Sequence, residues 1–434
     1  MLRRTFLAAP ALLPLAAHGG MLSAAEAGVM AGSGRDESAA LQALLRRGAR
    51  DGRPVRLSRG DYVVSNVELP DGLELHGAGA RLVYGGGGRF VDARGGRLRL
   101  SGLAFDGGGR PVLDRLAGAL TVRDCGDLRI EDCAFAATRG TGLRLERCGG
   151  AVEACRFERI GGVAGLFSID ATGLRIAGNR VEDAADGGIL VHRSRAGADG
   201  TIVASNRIAR VRADSGGTGP YGNGINTYRA HGVKIADNHV ADCAFSAIRC
   251  HSATNATVTG NTALRSGETA LYAEFSFEGA VIASNLVDGA AVGISIANFM
   301  QGGRLATCAA NVVRNCRAHG PYPAENAGFG HGIFVEADTA VTGNSVDAID
   351  RWGIALGWGP YLRNVAATGN VVREAGVGVA VSVADGAGSA VIANNVLSAR
   401  DGAIVGHRWR ERATGELMGA ADAPPHLRLA GNRG

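Results

Sequence analysis

Lysine is almost missing from this chain: Lys234 is the only one among 46 basic residues. The 46 Lys+Arg stand against 41 Asp+Glu, a formal charge of +5, and this balance excludes the strong basic field of a nucleic-acid binder. Because arginine serves as the general cation, an isolated Arg is a weak sign of an anion site. Proline is scarce, 11 in 434 residues, and the 68 glycines follow no G-X-Y period, which excludes collagen and Pro-rich linkers. No CxxC pair occurs, and Cys308, Cys316 and His319 make a poor metal signature. Beyond a short apolar run near the N-terminus, nothing approaches the ~18 uninterrupted apolar residues of a membrane span. With 46% hydrophobic and 20% charged residues the chain is not disordered. The surplus glycine therefore belongs to turns or tight stacking.

What is present is a repeat. An apolar-Asn-apolar phrase recurs at Asn179, Asn206, Asn238, Asn261, Asn285, Asn311, Asn344, Asn370, Asn395 and Asn432, at intervals of 23 to 37 residues. Between successive Asn lies a second phrase, Gly or Ala followed by alternating Ile, Leu or Val, as in Gly188-Ile189, Gly224-Ile225, Ala247-Ile248 and Gly332-Ile333. A basal period near 24 with β-branched alternation and no helical pattern predicts stacked coils of two or three short strands, each unable to bury its face alone. A leucine-rich repeat shares this period, but its L-x-x-L-x-L-x-x-N phrase and helical half are absent. Asn is expected at the sharp turn because it tolerates the left-handed conformation, and stacked Asn side chains can bond along the axis. The expected fold is all-β: one right-handed parallel β-helix over residues 28–434 with an N-terminal capping helix at about 36–47. Cys125 and Cys148, and Cys133 and Cys155, are 23 and 22 residues apart, and read as small apolar core residues in equivalent coils rather than disulfide partners.

The first residues read as an address. Met1-Leu2-Arg3-Arg4-Thr5-Phe6-Leu7 precedes an apolar run, Ala8 to Ala17, and small-residue sites such as Ser23-Ala24-Ala25. This resembles a twin-arginine export signal over residues 1–27, and the resemblance implies passage through the twin-arginine machinery and a periplasmic or secreted mature protein. Asp36-Glu37-Ser38, the Leu41-Leu44-Leu45 stripe and the strands from Pro54 to Gly77 resemble the N-terminal cap of the pectate-lyase-like right-handed β-helix superfamily. Together with the Asn repeats, the Arg3-Arg4-x-Phe-Leu phrase is similar to a family of twin-arginine-exported β-helix repeat proteins. Its repeats are similar to those of alginate C5-epimerases.

In the Gly-Ile-x-Val strands the Ile and Val point inward, so the intervening residues form two outward columns. One reads Arg144, Phe167, Leu190, Asn226, Arg249, Tyr272, Ser295, Phe334, Ala355 and Ala380; the other includes Glu146, His192, Tyr228, His251, Glu274, Ala297, Glu336, Gly357 and Ser382. Chemistry-bearing types bunch in three consecutive coils: Asn226 and Tyr228, Arg249 and His251, Tyr272 and Glu274. Two insertions, Val211 to Gly222 and Ala318 to Gly330, precede outward strands and carry Tyr221 and Tyr322 in Gly-Pro-Tyr phrases; Gly359-Pro360-Tyr361 repeats the phrase near Trp352 and Trp358. Aromatic loops beside a polar strand face suit sugar rings.

The partner expected is thus a polysaccharide or oligosaccharide, and the chemistry that of an acidic-glycan lyase or epimerase. Tyr228, His251, Tyr272, Glu274 and His192 are the candidate acid–base groups, and Asn226, Arg249, Tyr221, Tyr322, His331 and Glu336 the candidate substrate contacts. The Asp-Pro-His motif of alginate C5-epimerases is absent, since no proline follows Asp. Asn226-Thr227-Tyr228 and Gly330-His331-Gly332-Ile333 resemble two polygalacturonase motifs, but Tyr228 stands in place of a carboxylate and no Asp-Asp pair occurs. Glycoside hydrolysis by Glu274 and Glu336, and a non-catalytic carbohydrate-binding or scaffold protein, are the alternatives. No metal site or cofactor is identified, and nothing supports calcium.

Overall fold

The computed structural model describes residues 20–217, 219–323 and 328–434. Each coil contributes three strands that pair in parallel with the same strands one coil on: Lys234–Ala236 with Ala256–Thr259, His239–Cys243 with Thr262–Leu264, and Ile248–His251 with Thr269–Glu274. The pairing repeats along the chain with only local register shifts, as between His192 and Gly197, so one apolar core runs the length of the stack, with residues such as Ile225, Ile248, Leu271 and Ile294 fully buried. Phe105, Phe135 and Phe157 stack coil on coil with centroids 4.9 Å apart. All eight cysteines are buried free thiols. Cys155 occupies the coil position that Asn179 holds in the next coil, its N–H bonded to the Asn179 Oδ1.

The Asn phrase forms a continuous internal ladder. Each Asn side-chain oxygen accepts both the backbone N–H and the side-chain amide of the preceding Asn, from Asn179 to Asn432, at 2.9–3.1 Å. Each amide also donates to a carbonyl inside the coil, as Asn261 does to Ile235. One expectation is corrected: the left-handed residue is not the Asn but the one before it, for example Ser205, Asp237, Ser284 and Ala310, at φ 53 to 58°. The reason is directional, because the Asn side chain must point inward to reach its partner. The chain therefore turns one residue earlier.

The capping helix spans Ser38–Asp51, longer than the sequence predicts, and buries Leu41, Leu44, Leu45 and Gly48. Gly48 lies inside it, where a Cβ would come 2.4 Å from a Val55 methyl. The true stop is Gly52 in the left-handed conformation, whose N–H caps the last turn. Ahead of the helix, Leu22–Ser23 pairs with Val55–Arg56, and Leu22, Ala24 and Val29 are buried against the first coil. The export-signal boundary expected at residue 27 thus falls within a segment that packs on the fold. Residues 1–19, with Arg3 and Arg4, lie outside the described residues. No described helix is long and apolar enough to cross a membrane.

Candidate functional site

The outward columns follow the register read from the sequence. Asn226 pairs with Arg249 and Arg249 with Tyr272, while His192 pairs with Tyr228, Tyr228 with His251 and His251 with Glu274. The six residues of the central patch therefore do lie together. Direction and exposure part company, however, because both insertions fold onto this face. Asn226, Arg249 and Glu274 are buried, whereas Tyr228, His251 and Tyr272 remain half-buried.

The insertion before Asn223 is moored by two polar residues. Asp186, fully buried, accepts from the Ser215 N–H at 2.8 Å and its hydroxyl at 2.7 Å, and pairs with Arg115 at 2.7 Å. The Asn223 amide donates to the carbonyls of Gly219 and Tyr221, which leaves Tyr221 half-buried at the loop's end. Gly219 lies over Arg249, where a Cβ would sit 3.4 Å from Nη1, and its φ of 94° is the conformation that favours glycine in this roof. The second insertion is stapled by Tyr322, whose hydroxyl donates to Glu268 and whose ring packs on Phe329 and Phe245 at 5.4 and 6.1 Å.

Beneath these loops Arg249 Nε donates to Glu274 in a buried ion pair, with the guanidinium 5.6 Å from the Tyr272 ring. Burial pushes the Glu274 carboxyl up and Arg249 opposes it; burial likewise raises the Tyr272 phenol well above its ordinary value. Glu268, buried beside this pair, was not among the sequence candidates. Its signal was available one residue upstream of the strand, at the coil position that Asp186 also occupies. Glu336, two coils beyond Glu274, is buried and accepts the Phe299 N–H at 2.6 Å, which holds the short Phe299–Gln301 turn. His331 is buried and stacks on Trp352, centroids 4.6 Å apart, its pKa pushed down to about 3 by burial and by nearby arginines. Glu274, Tyr322 and Glu336 are thus engaged within the protein, while Arg249 keeps its Nε on Glu274 and leaves Nη1 without a hydrogen-bond partner, as His331 leaves Nε2.

Burial places the Glu336 pKa at about 7, above its ordinary 4.5. A carboxyl raised on folding contributes stability below its unfolded value and loses it as pH climbs from about 4.5 to about 7, here about 3 kcal/mol. Glu336→Gln should therefore raise the melting temperature at pH 8 and leave it nearly unchanged at pH 4.5. An equal shift at both pH values would contradict this.

Only the start of the second column stays accessible, at His192, Tyr228 and His251. His192, Tyr228, His251 and Phe275 form a ladder of rings in consecutive coils, with centroids 5.6, 5.0 and 4.4 Å apart. Phe275 joins it from a turn with φ 60°, which alternation along the strand does not reveal. Burial, and for His251 the Arg249 charge, pushes both imidazoles down to about 4, so they are neutral at neutral pH. His251 Nδ1 lies 3.0 Å from the Ser252 hydroxyl, and the Arg229 guanidinium sits 4.7 Å over the Tyr228 ring. Among the described residues no group of three or more His, Cys, Asp or Glu could hold a metal ion.

Residues 94–218 and 196–301 match the family described as the right handed beta helix region. The chain is a right-handed parallel β-helix. Among solved structures, this β-helix resembles the N-terminal fragment of bacteriophage phi29 gene product 12 with TM-score 0.59 and 13% identity, over 88% of this chain and 68% of that one. It also resembles the pre-mature phi29 gene product 12, at TM-score 0.53 and 15% identity over 86% of this chain and about half (52%) of that one. The periplasmic alginate epimerase AlgG double mutant gives TM-score 0.45 and 12% identity over 88% of this chain and 77% of its own. No curated protein sequence matches the chain. At these identities the likeness is one of fold alone.

Proposed function

We propose that this β-helix is an exported protein that binds an acidic polysaccharide along the ladder His192–Tyr228–His251–Phe275, with proton abstraction at His251 as its chemistry. The observation that carries the reading is the ladder: four half-buried rings repeat at the coil spacing, so they form a rail parallel to the helix axis. A polymer of pyranose rings laid along that axis meets one aromatic edge or face after another. Arg229 over Tyr228 supplies the positive charge for a uronate carboxylate at the exposed face, whereas Arg249 is buried and paired through Nε with Glu274. The uronate carboxylate acidifies the C5 hydrogen, and the neutral His251 imidazole takes that proton. In elimination Tyr228 then protonates the departing O4; in epimerisation a proton returns to the opposite face of C5.

Hydrolysis fits less well, because it needs two carboxyl groups facing the substrate. Glu274 is bonded to Arg249 and Glu336 to the Phe299 N–H, both under loops. A binding-only protein shares the ladder and differs in needing nothing from His251. Export rests on the Arg3-Arg4-x-Phe-Leu phrase and the apolar run after it.

The experiment is a screen of polyuronates and neutral glycans for binding, for the absorbance of unsaturated ends and for C5 inversion. His251→Ala is expected to abolish product while the melting temperature stays near that of the unmodified protein. Release of reducing ends without unsaturation would favour the hydrolase, and binding without product the scaffold.

A further inference from the structure

We propose that the C-terminal end of the same face carries a second saccharide subsite, built from Trp358, Tyr361 and Trp409, so that one long acidic chain bridges it and the ladder. The inference rests on the glycan reading of the ladder and adds a place, a chain-length requirement and a residue to it. The chain has 3 tryptophans in 434 residues, and all three converge here. Trp352 is the buried base, sandwiched by His331 and His407 at 4.6 Å each. Trp358 packs against that base and presents an edge to Trp409, centroids 5.4 Å apart at 74°, while Tyr361 meets Trp409 at 6.3 Å and 75°.

Two turns hold the rings. Trp358 and Tyr361 bracket a tight turn closed by the Tyr361 N–H to the Trp358 carbonyl at 3.0 Å, and the Ser382 hydroxyl pins the Gly359 carbonyl at 2.6 Å. Trp409 tips an antiparallel hairpin in which Arg408 faces Glu411. Its backbone φ of 55° is unusual for a bulky residue, and its side chain lies over Gly359, where a Cβ would come 2.4 Å from the indole. A glycine on one turn and a strained backbone on the other thus serve to lay an indole flat, yet 46% of Trp409 stays in solvent. Core packing alone does not call for that arrangement. An exposed large ring with a polar rim is the composition of a sugar-stacking surface.

Charge and position select the occupant. Arg408 and Arg410 flank Trp409 in the sequence and supply positive charge beside it, although Arg408 also donates to the Val383 carbonyl and pairs with Asp385 at 3.9 Å. His407 stands in the ladder's own column: from His251 the register runs through Glu274, Ala297, Glu336, Gly357 and Ser382 to His407. Six rungs at about 4.8 Å put the two sites about 29 Å apart along the axis. A chain long enough to span that distance engages both, and the second contact is then intramolecular.

The test uses the mature protein and oligogalacturonates and oligomannuronates of graded length. Since every tryptophan lies in this cluster, intrinsic tryptophan emission reports this subsite and not the ladder. Saccharide should change the emission, and chains that span both sites should bind at least tenfold tighter than short ones. Trp409→Ala should remove that length advantage at an unchanged melting temperature, Trp409→Phe should restore part of it, and Tyr228→Ala should leave the emission response to short oligomers in place. If Tyr228→Ala weakens binding while emission is silent and Trp409→Ala binds long chains as wild type does, the second subsite is refuted and the ladder stands. If neither variant weakens binding, or the wild type binds no saccharide, both readings fall. An emission change produced only by a protein partner would also overturn the saccharide assignment.

Discussion

Asn261→Leu is expected to destabilise the β-helix by about 3–5 kcal/mol although it touches no loop and no candidate site. Asn261 is 1% exposed, and its amide donates to the carbonyls of Ile235 and Thr259 and to Asn285 Oδ1 at 3.0, 3.1 and 3.0 Å. Its own oxygen accepts the Asn238 N–H at 3.0 Å and the Asn238 amide at 2.9 Å. Leucine is similar in size but satisfies none of these groups, and they stay buried. The cost of an unpaired buried donor exceeds the modest net value of the bond it replaces. Asn432→Leu is the control, because that side chain is only half-buried and ends the ladder. Denaturant midpoints should fall strongly for the first and little for the second. Equal midpoints would dismiss the ladder as a source of stability.

Arg249→Leu should be the next most damaging single change, at about 3–5 kcal/mol, and Arg249→Leu with Glu274→Leu should recover most of that loss. Side-chain exposure is 9% for Arg249 and 2% for Glu274, so removing the cation strands a carboxylate with no solvent to turn to. The surviving acid would take up a proton, and its already raised pKa would climb further. Removing both charges eliminates the desolvation problem together with the attraction that offset it. A double-mutant cycle on melting free energies measures the coupling. If Arg249→Leu melts like wild type but loses saccharide binding, Arg249 meets the substrate directly, as its outward position in the strand suggests.

That contrast shows where the residues speak and where they stop. The period, the three-strand coil and both outward columns are legible because inward and outward positions alternate with a fixed spacing, and parallel stacking carries that spacing into three dimensions without change. Exposure is not legible in the same way. Arg249 and Tyr228 are outward by the same rule, but only Arg249 lies under Gly219, and nothing local to the strand says where a loop inserted some thirty residues upstream will settle. Glu268 and Phe275 escaped for a related reason, since each flanks the strand at a turn where alternation no longer applies. The one-residue offset at the Asn corner has a simpler source. Left-handed tolerance and inward hydrogen bonding are both properties of Asn, and within one corner they are divided between neighbours, with Asp237 turning and Asn238 bonding.

The neutral imidazoles follow from the same loop-and-column packing. His192 and His251 are held at about 4 chiefly because neighbouring coils exclude water from one face of each ring. An imidazole held neutral keeps a ring-nitrogen lone pair available to accept a proton at neutral pH.

The most direct measurement is equilibrium binding of a polyuronate oligomer to the wild-type protein and to Tyr228→Ala, the ring at the centre of the ladder. Removing that ring takes away a stacking surface and the seat of Arg229, and affinity should fall at least tenfold, about 1.4 kcal/mol, while the melting temperature holds. Unchanged affinity in Tyr228→Ala, with the wild type binding the oligomer elsewhere or not at all, would contradict the ladder as the saccharide site.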